Sequence, residues 1–367
     1  MLSVVKTFLY RHFFSNLAGM RLGDWWALLA EHHFRVSGRY WPRCVFVTLC
    51  ALWATISARW ESFRYRSAWE QTAIPPPIFI LGHWRSGTTL LHQLLSLDDR
   101  FYTPTMEDVL FPHSILTGGP MGFFMNLFLP ADRGVDQVRL GIHEPFEDEF
   151  ALTIMSRVSP YLGWTFPSHR DRHDTQLTLD DEDDQKRWST AMRTLVAKLT
   201  LKRGKPVLLK SPPHTARLAI LAKLFPGAKF IQIHRDPLTV YLSTTNPVTE
   251  GLDGLRLQVD SRRDVPSEVF SRYRQLYQAY LRDRSTISPD SLAEISYADL
   301  EADPVPLLAA VYQSLGLPGF EKVGPKIERW LSANHSYRKN THPVLEPDLE
   351  TRIETEWGEI YRALLRR

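Results

Sequence analysis

Ile78-Phe79-Ile80-Leu81-Gly82-His83-Trp84-Arg85-Ser86-Gly87-Thr88-Thr89-Leu90-Leu91 is the stretch on which the fold turns. Four apolar residues in a row read as a strand buried on both faces, the pattern of a parallel sheet covered by helices. The run stops at Gly82, Gly87 permits a tight turn, and a helix opens near Thr88. That order aims backbone N–H groups and the positive end of a helix at an anion. Gly82 and Gly87 keep the offset of the nucleotide loop G-x-x-x-x-G-K-[ST], but Thr88 stands where the lysine belongs. The loop therefore lacks the charge that reaches β- and γ-phosphates. Its cation is Arg85, two residues before Gly87.

Downstream the same alternation repeats. Short apolar runs at 207–209, 229–233 and 292–296 read as further buried strands, with helical patterns over 89–97, 180–202 and 216–225. An amphipathic helix carrying Leu349, Ile353, Trp357, Ile360 and Leu364 ends the chain. The expected fold is α/β: a P-loop-like three-layer arrangement around a central parallel sheet, plus an α-helical N-terminal appendage. Pro75-Pro76-Pro77 marks the boundary, dividing the chain into a helical region, 1–74, and a main domain, 75–367.

The 367 residues are 44% hydrophobic and 23% charged, an ordinary globular composition that excludes a disordered or collagen-like chain. A net charge of +3 is too small to announce a nucleic-acid partner. The 13 histidines are scattered without zinc spacing. Two cysteines, Cys44 and Cys50, make no disulfide framework, which favours a reducing compartment.

The N-terminal region stands apart. Residues 1–70 hold six of the 11 Trp, and nine Arg or Lys against four acids. Their longest apolar run, 45–56, is too short to cross a bilayer unaided, and no secretory signal is evident. Two roles stay open: a peripheral, membrane-surface helix, or an appendage packing its aromatic face on the main domain.

Two further strand ends carry cations. Lys210, in Leu209-Lys210-Ser211-Pro212-Pro213-His214, and Arg235, in Ile233-His234-Arg235-Asp236-Pro237, lie where open α/β sheets bind ligands. Ser243 follows Arg235 by about two helical turns, a spacing that can return both groups to one phosphate.

Taken in order, these elements resemble the sulfotransferases that use 3′-phosphoadenosine-5′-phosphosulfate (PAPS). Arg85-Ser86-Gly87-Thr88-Thr89 is similar to their 5′-phosphosulfate loop, and Arg235 with Ser243 to their 3′-phosphate pair. Tyr297 in Tyr297-Ala298-Asp299-Leu300-Glu301-Ala302-Asp303-Pro304 resembles the tyrosine of their Y-x-D-L-x-x-D-P element, near the adenine. Lys210 resembles the lysine beside the transferred group. The likeness spans about residues 77–342. It implies a PAPS-dependent enzyme with Arg85 and Lys210 neutralising charge on the leaving phosphate, and no metal. Cytosolic members carry a histidine where this chain has Pro212, and their C-terminal R-K-G clamp is missing; Arg338 or Lys339 sits at a comparable place.

A base is still required for the acceptor's proton. Glu107, 22 residues after Arg85, matches the distance of the catalytic glutamate in several carbohydrate and protein-tyrosine sulfotransferases; its other reading is a helix cap. Glu147 and Glu149 in an acidic cluster, and His214, are the alternatives. The Phe-, Met- and Gly-rich stretch 118–130 suits an adaptable apolar wall beside Glu107. With the aromatic N-terminus it suggests a small-molecule or lipid-like alcohol as acceptor and a cytoplasmic enzyme touching a membrane peripherally. A carbohydrate acceptor, a divergent P-loop kinase, and a non-catalytic nucleotide- or lipid-binding protein are the competing classes.

Overall fold

The computed structural model describes residues 12–118, 141–245, 253–260, 264–334 and 348–366. The chain divides into two compact units that interleave along the sequence. The first gathers residues 1–75, 102–207 and 248–263; the second gathers 76–101, 208–247 and 264–367. A crossing at 75/76 falls where the proline run stands, but residues 102–207 and 248–263 group with the N-terminal region rather than with the sheet.

The second unit is built on a four-stranded parallel sheet of order β2-β1-β3-β4, with β1 Ile78–Leu81, β2 Leu208–Lys210, β3 Lys229–His234 and β4 Leu292–Ser296. These strands match the apolar runs read from the sequence to within one residue. Alternate side chains feed two cores, as the pleat dictates. Ile78, Ile80, Ile231, Ile233 and Ile295 pack on one side with Leu91 and Leu94 of the Thr88–Leu95 helix and with Leu308 and Val311 of Pro304–Ser314. On the other side Phe79 lies against Phe230 and Phe225, with ring centroids 5.5 and 5.9 Å apart. The long Val265–Arg284 helix and the C-terminal Leu349–Leu365 helix pack on each other, with Trp357 stacked on Tyr273 at 4.0 Å. Because the chain steps from β1 outward to β2 and then returns past β1 to β3, the strand order reverses between β1 and β3. Ligands of open α/β sheets bind at the carboxyl ends of such a reversal.

The first unit is helical. Trp41–Gln71, 31 residues long, packs on Leu22–Glu31 and on Glu182–Arg203. The apolar run 45–56 lies in the first half of that helix, which is longer than the run alone announced. Trp25, Leu28 and Val47 are buried with Ile154, Leu162, Phe166 and Leu257, so part of the N-terminal aromatic content is core. Three of the scattered histidines also meet here: the two ring nitrogens of His32 lie 3.2 Å from His169 Nδ1 and 3.3 Å from His173 Nε2. Burial pulls His32 down to about 3 and His173 to about 4, so both rings are neutral.

A buried ion pair ties the long helix to its neighbours. Lys198 Nζ donates to Glu61 Oε1 at 2.7 Å, with both side chains almost fully enclosed. Glu61 Oε2 accepts the backbone N–H groups of Leu116 and Thr117 at 2.7 and 3.2 Å, and Lys198 also donates to the Pro112 carbonyl. Burial pushes the Lys198 ammonium below the ordinary lysine range, and the Glu61 charge opposes that shift. We expect Glu61→Ala to destabilise the protein by about 3–5 kcal/mol, because it strands a buried ammonium. Glu61→Leu with Lys198→Met should recover most of that loss in denaturant unfolding; full loss in the double variant would assign the stability to the backbone contacts instead.

Candidate functional site

β1 runs directly into the glycine loop. Gly82 sits at φ +151°, where a Cβ would lie 2.6 Å from the Ile233 carbonyl oxygen, so β3 leaves no room for a side chain. Its N–H donates to Thr215 Oγ1 at 2.7 Å, fixing the strand exit to the segment after Lys210. The buried Ser86 hydroxyl donates to the His83 carbonyl oxygen at 2.7 Å and closes the turn. Arg85 holds a left-handed φ of 67°, a conformation that costs a non-glycine residue on the order of 1 kcal/mol and marks a loop held by its surroundings.

Gly87 then starts the Thr88–Leu95 helix at φ +99°. A Cβ there would stand 2.2 Å from Cδ2 of Tyr297, so the tyrosine ring occupies the space that a side chain would need. The Arg235 guanidinium lies 4.1 Å from the centroid of the same ring, and Arg235 Nη1 donates to the Arg85 carbonyl oxygen at 3.4 Å. Arg85, Gly87, Arg235 and Tyr297, spread over more than 200 residues of sequence, are thus one cluster at the β1/β3 reversal. The first turn of the helix adds N–H groups with no intrahelical partners.

The other sequence candidates fall as follows. Thr88 is buried and Thr89 partly so, both in that first turn. Lys210 ends β2, buried and in register with Ile80. Ser243 lies two turns along the Pro237–Thr245 helix that Arg235 precedes. His214 is fully buried, edge-on to Phe79 at 5.7 Å. Arg338, and all but the first residue of the stretch 118–130, lie outside the described residues. Sequence reasoning missed Thr215 and His83. The His83 N–H donates to the Tyr277 hydroxyl at 3.3 Å, and burial pulls its imidazole down to about 4, which keeps it neutral. Neither residue type is diagnostic of an anion loop, so no local pattern would have flagged them.

Glu107 belongs to the first unit, in the short Met106–Leu110 helix. The capping role is taken by its neighbour: Thr105 Oγ1 accepts from the Asp108 N–H, and Asp108 Oδ2 accepts from the Thr105 N–H at 3.0 Å. Asp108 also binds Lys202 at 2.6 Å and the Tyr102 hydroxyl. Among the described residues the Glu107 carboxylate has no hydrogen-bond partner, and it is half-buried on the wall of a cavity of about 630 Å³. Tyr65, Phe111, Ile115, Leu201 and Lys202 complete much of that wall. The rival acids are engaged in structure: Glu149 is buried and accepts from Ser159 at 2.7 Å, and Glu147 accepts from Tyr161 at 2.5 Å.

The sequence model of the Sulfotransferase family matches residues 76–322. The chain belongs to the sulfotransferase family. A curated relative, omega-hydroxy-beta-dihydromenaquinone-9 sulfotransferase Stf3 of Mycobacterium bovis, is 33% identical over 346 residues, covering 93% of this chain and 89% of its own. Its Mycobacterium tuberculosis counterpart matches equally. Among solved structures, sulfotransferase STF9 of Mycobacterium avium superposes with a TM-score of 0.72 at 17% identity, over 92% of this chain and 89% of that one. Sulfotransferase STF1 of M. tuberculosis gives 0.65 at 18% identity, over 94% and 91%. These likenesses show the α/β sulfotransferase fold.

In this sulfotransferase, Gly87→Ala must both strain a left-handed φ and displace Tyr297. We expect a loss of about 1–3 kcal/mol. Adding Tyr297→Ala should remove the steric share, so the two losses measured by denaturant unfolding will be less than additive. Strict additivity would mean that the ring and the glycine do not compete for one space.

Proposed function

We propose that this sulfotransferase moves the sulfuryl group of PAPS to a hydroxyl of an apolar, lipid-like acceptor. The observation that carries the donor half is the meeting of the Arg85 loop with Arg235 and Tyr297 at the strand reversal. The residues fit such a donor. Two cations and a helix N-terminus suit two anionic groups, and Gly82 and Gly87 keep side chains out of the cradle. Arg85, Ser86, Thr88 and Thr89 serve the 5′-phosphosulfate, Arg235 and Ser243 the 3′-phosphate, and Tyr297 the adenosine. Arg338 is retained as a closing cation.

Glu107 takes the acceptor's proton as its oxygen bonds to sulfur. The bond from sulfur to the bridging phosphate oxygen breaks, leaving adenosine 3′,5′-bisphosphate. Arg85 and Lys210 carry the charge that gathers on that phosphate. The freedom of Glu107 from capping duty supports its role as base, and its half-buried position leaves it within reach of a bound alcohol. Phe111, Ile115, Leu116 and Leu201 on the wall of the cavity around it, and the omega-hydroxylated menaquinone in the name of a relative 33% identical, support a lipid-like alcohol. The donor's cytosolic supply puts the reaction in the cytoplasm.

Thermal unfolding with adenosine 3′,5′-bisphosphate, set beside magnesium ATP, tests the donor. Saturation at about 100 times Kd adds about 2.7 kcal/mol and raises the melting temperature. A rise with magnesium ATP alone would make the protein a divergent kinase. Arg235→Ala should weaken bisphosphate binding by about 2–5 kcal/mol in calorimetric titration. Glu107→Gln should leave that affinity intact and lower turnover at least about 100-fold; full turnover would hand the proton to Glu147, Glu149 or His214.

A further inference from the structure

The Trp41–Gln71 helix keeps one long face bare. Val45, Leu49, Leu52, Ile56, Trp60 and Phe63 are exposed, with Leu49 at 61%, Ile56 at 62% and Phe63 at 84%. Together with Trp41 they recur in steps of four, four, three, four, four and three, so they form one stripe about 33 Å long, with Trp53 beside it. Scattered exposed apolar side chains are normal; a continuous stripe rich in Trp is not.

Charge on this helix is sorted as strictly as apolarity. Between residues 32 and 69 the one carboxylate is Glu61, and it is turned inward to Lys198. Among the described residues from 32 to 69 the exposed charges are Arg35, Arg39, Arg59, Arg64 and Arg66, the last paired with Glu70 at 2.8 Å. At about 100° per residue, Arg59 and Arg64 fall on opposite borders of the apolar arc. We propose that this face docks flat on an anionic phospholipid surface, its Trp, Leu and Phe side chains entering the headgroup boundary and its border arginines meeting phosphate groups.

Two alternatives fit the same residues less well. By length and composition the helix could cross a bilayer, but its other side carries Glu61 in a buried ion pair and Arg43, which is fully buried and donates to the Arg256 carbonyl oxygen at 2.5 Å. A spanning helix would expose those charges to hydrocarbon. Self-association through this face sets arginine-bearing borders against each other, and no exposed carboxylate between 32 and 69 is there to meet the arginines. The same helix lends Arg64, Tyr65 and Ala68 to the cavity wall that holds Glu107, so docking would bring that cavity's wall to the surface from which a lipid-like alcohol is drawn. Only this last point rests on the proposed acceptor.

Flotation of the full-length protein with acceptor-free vesicles tests the face by itself. Vesicles of phosphatidylcholine with about 30% phosphatidylglycerol should carry the protein up at low salt, and phosphatidylcholine alone far less. Leu49→Glu/Ile56→Glu/Phe63→Glu should cut the vesicle partition coefficient at least about tenfold. Phe63→Ser alone should cut it measurably, and Arg59→Gln should flatten its salt dependence. Flotation of the triple variant equal to that of the parent, or no flotation of the parent, overturns the proposal. So does a dimer in light scattering that the triple variant converts to monomer. Turnover on a short water-soluble alcohol, measured alongside, should be unchanged in Phe63→Ser. If no lipid-like alcohol dispersed in detergent is a substrate while flotation behaves as expected, the acceptor assignment fails and the docking face stands.

Discussion

Tyr297 cannot occupy its place unless residue 87 lacks a side chain, and Arg235 uses the face of the same ring. That three-way contact joins the exits of β1, β3 and β4. It requires glycine at the one loop position whose left-handed backbone also starts the helix. It also holds Arg235 against the Arg85 carbonyl, so a cation that follows the third strand becomes part of a loop that follows the first. The parallel pairing of β1 with β3 makes this possible, since adjacent parallel strands deliver their following loops side by side at the same edge. The aromatic ring serves as a rigid spacer, and the arginine stacks on its face.

The first unit is governed by a different constraint, the cost of enclosing charge. Glu61 and Lys198 compensate each other. The spare carboxylate oxygen then collects two backbone N–H groups from residues 116 and 117, beside the cavity. Asp108 does similar service on the same wall, caring for the helix cap, Tyr102 and Lys202 at once. With those neighbours committed, Glu107 is, among the described residues of the wall, the carboxylate not spent on structure. Burial and the adjacent carboxylate push the Tyr102 hydroxyl well above its ordinary range, so it remains a donor to Asp108 at neutral pH.

Much of the proposed nucleotide side was legible in the residues themselves. An uninterrupted apolar run such as Ile78–Leu81 admits few readings besides a covered parallel strand, and a glycine six residues past its end admits few besides a turn into a helix. The order Arg85-Ser86-Gly87-Thr88-Thr89, Lys210, Arg235 and Tyr297 was enough to suggest a family, because its chemistry depends on residue types at strand ends. The acceptor side was less legible. Glu107 and Asp108 are adjacent, and a capping pattern starting at Thr105 does not by itself say which acid is consumed; only the hydrogen bonds do.

The sequence by itself determined the strands, the glycine loop after the first of them and the cationic strand ends, since local propensity and short spacing suffice for those. Tertiary structure alone decided that residues 102–207 group with the N-terminal helices rather than with the sheet. It alone decided that Trp25 is core while Trp41, Trp53 and Trp60 are bare. Every one of these tryptophans sits in a helical pattern rich in apolar residues, and burial depends on which neighbour arrives from elsewhere in the chain. Long-range packing is not written in any window of sequence, because a side chain's surroundings are supplied by residues whose distance along the chain carries no local signal.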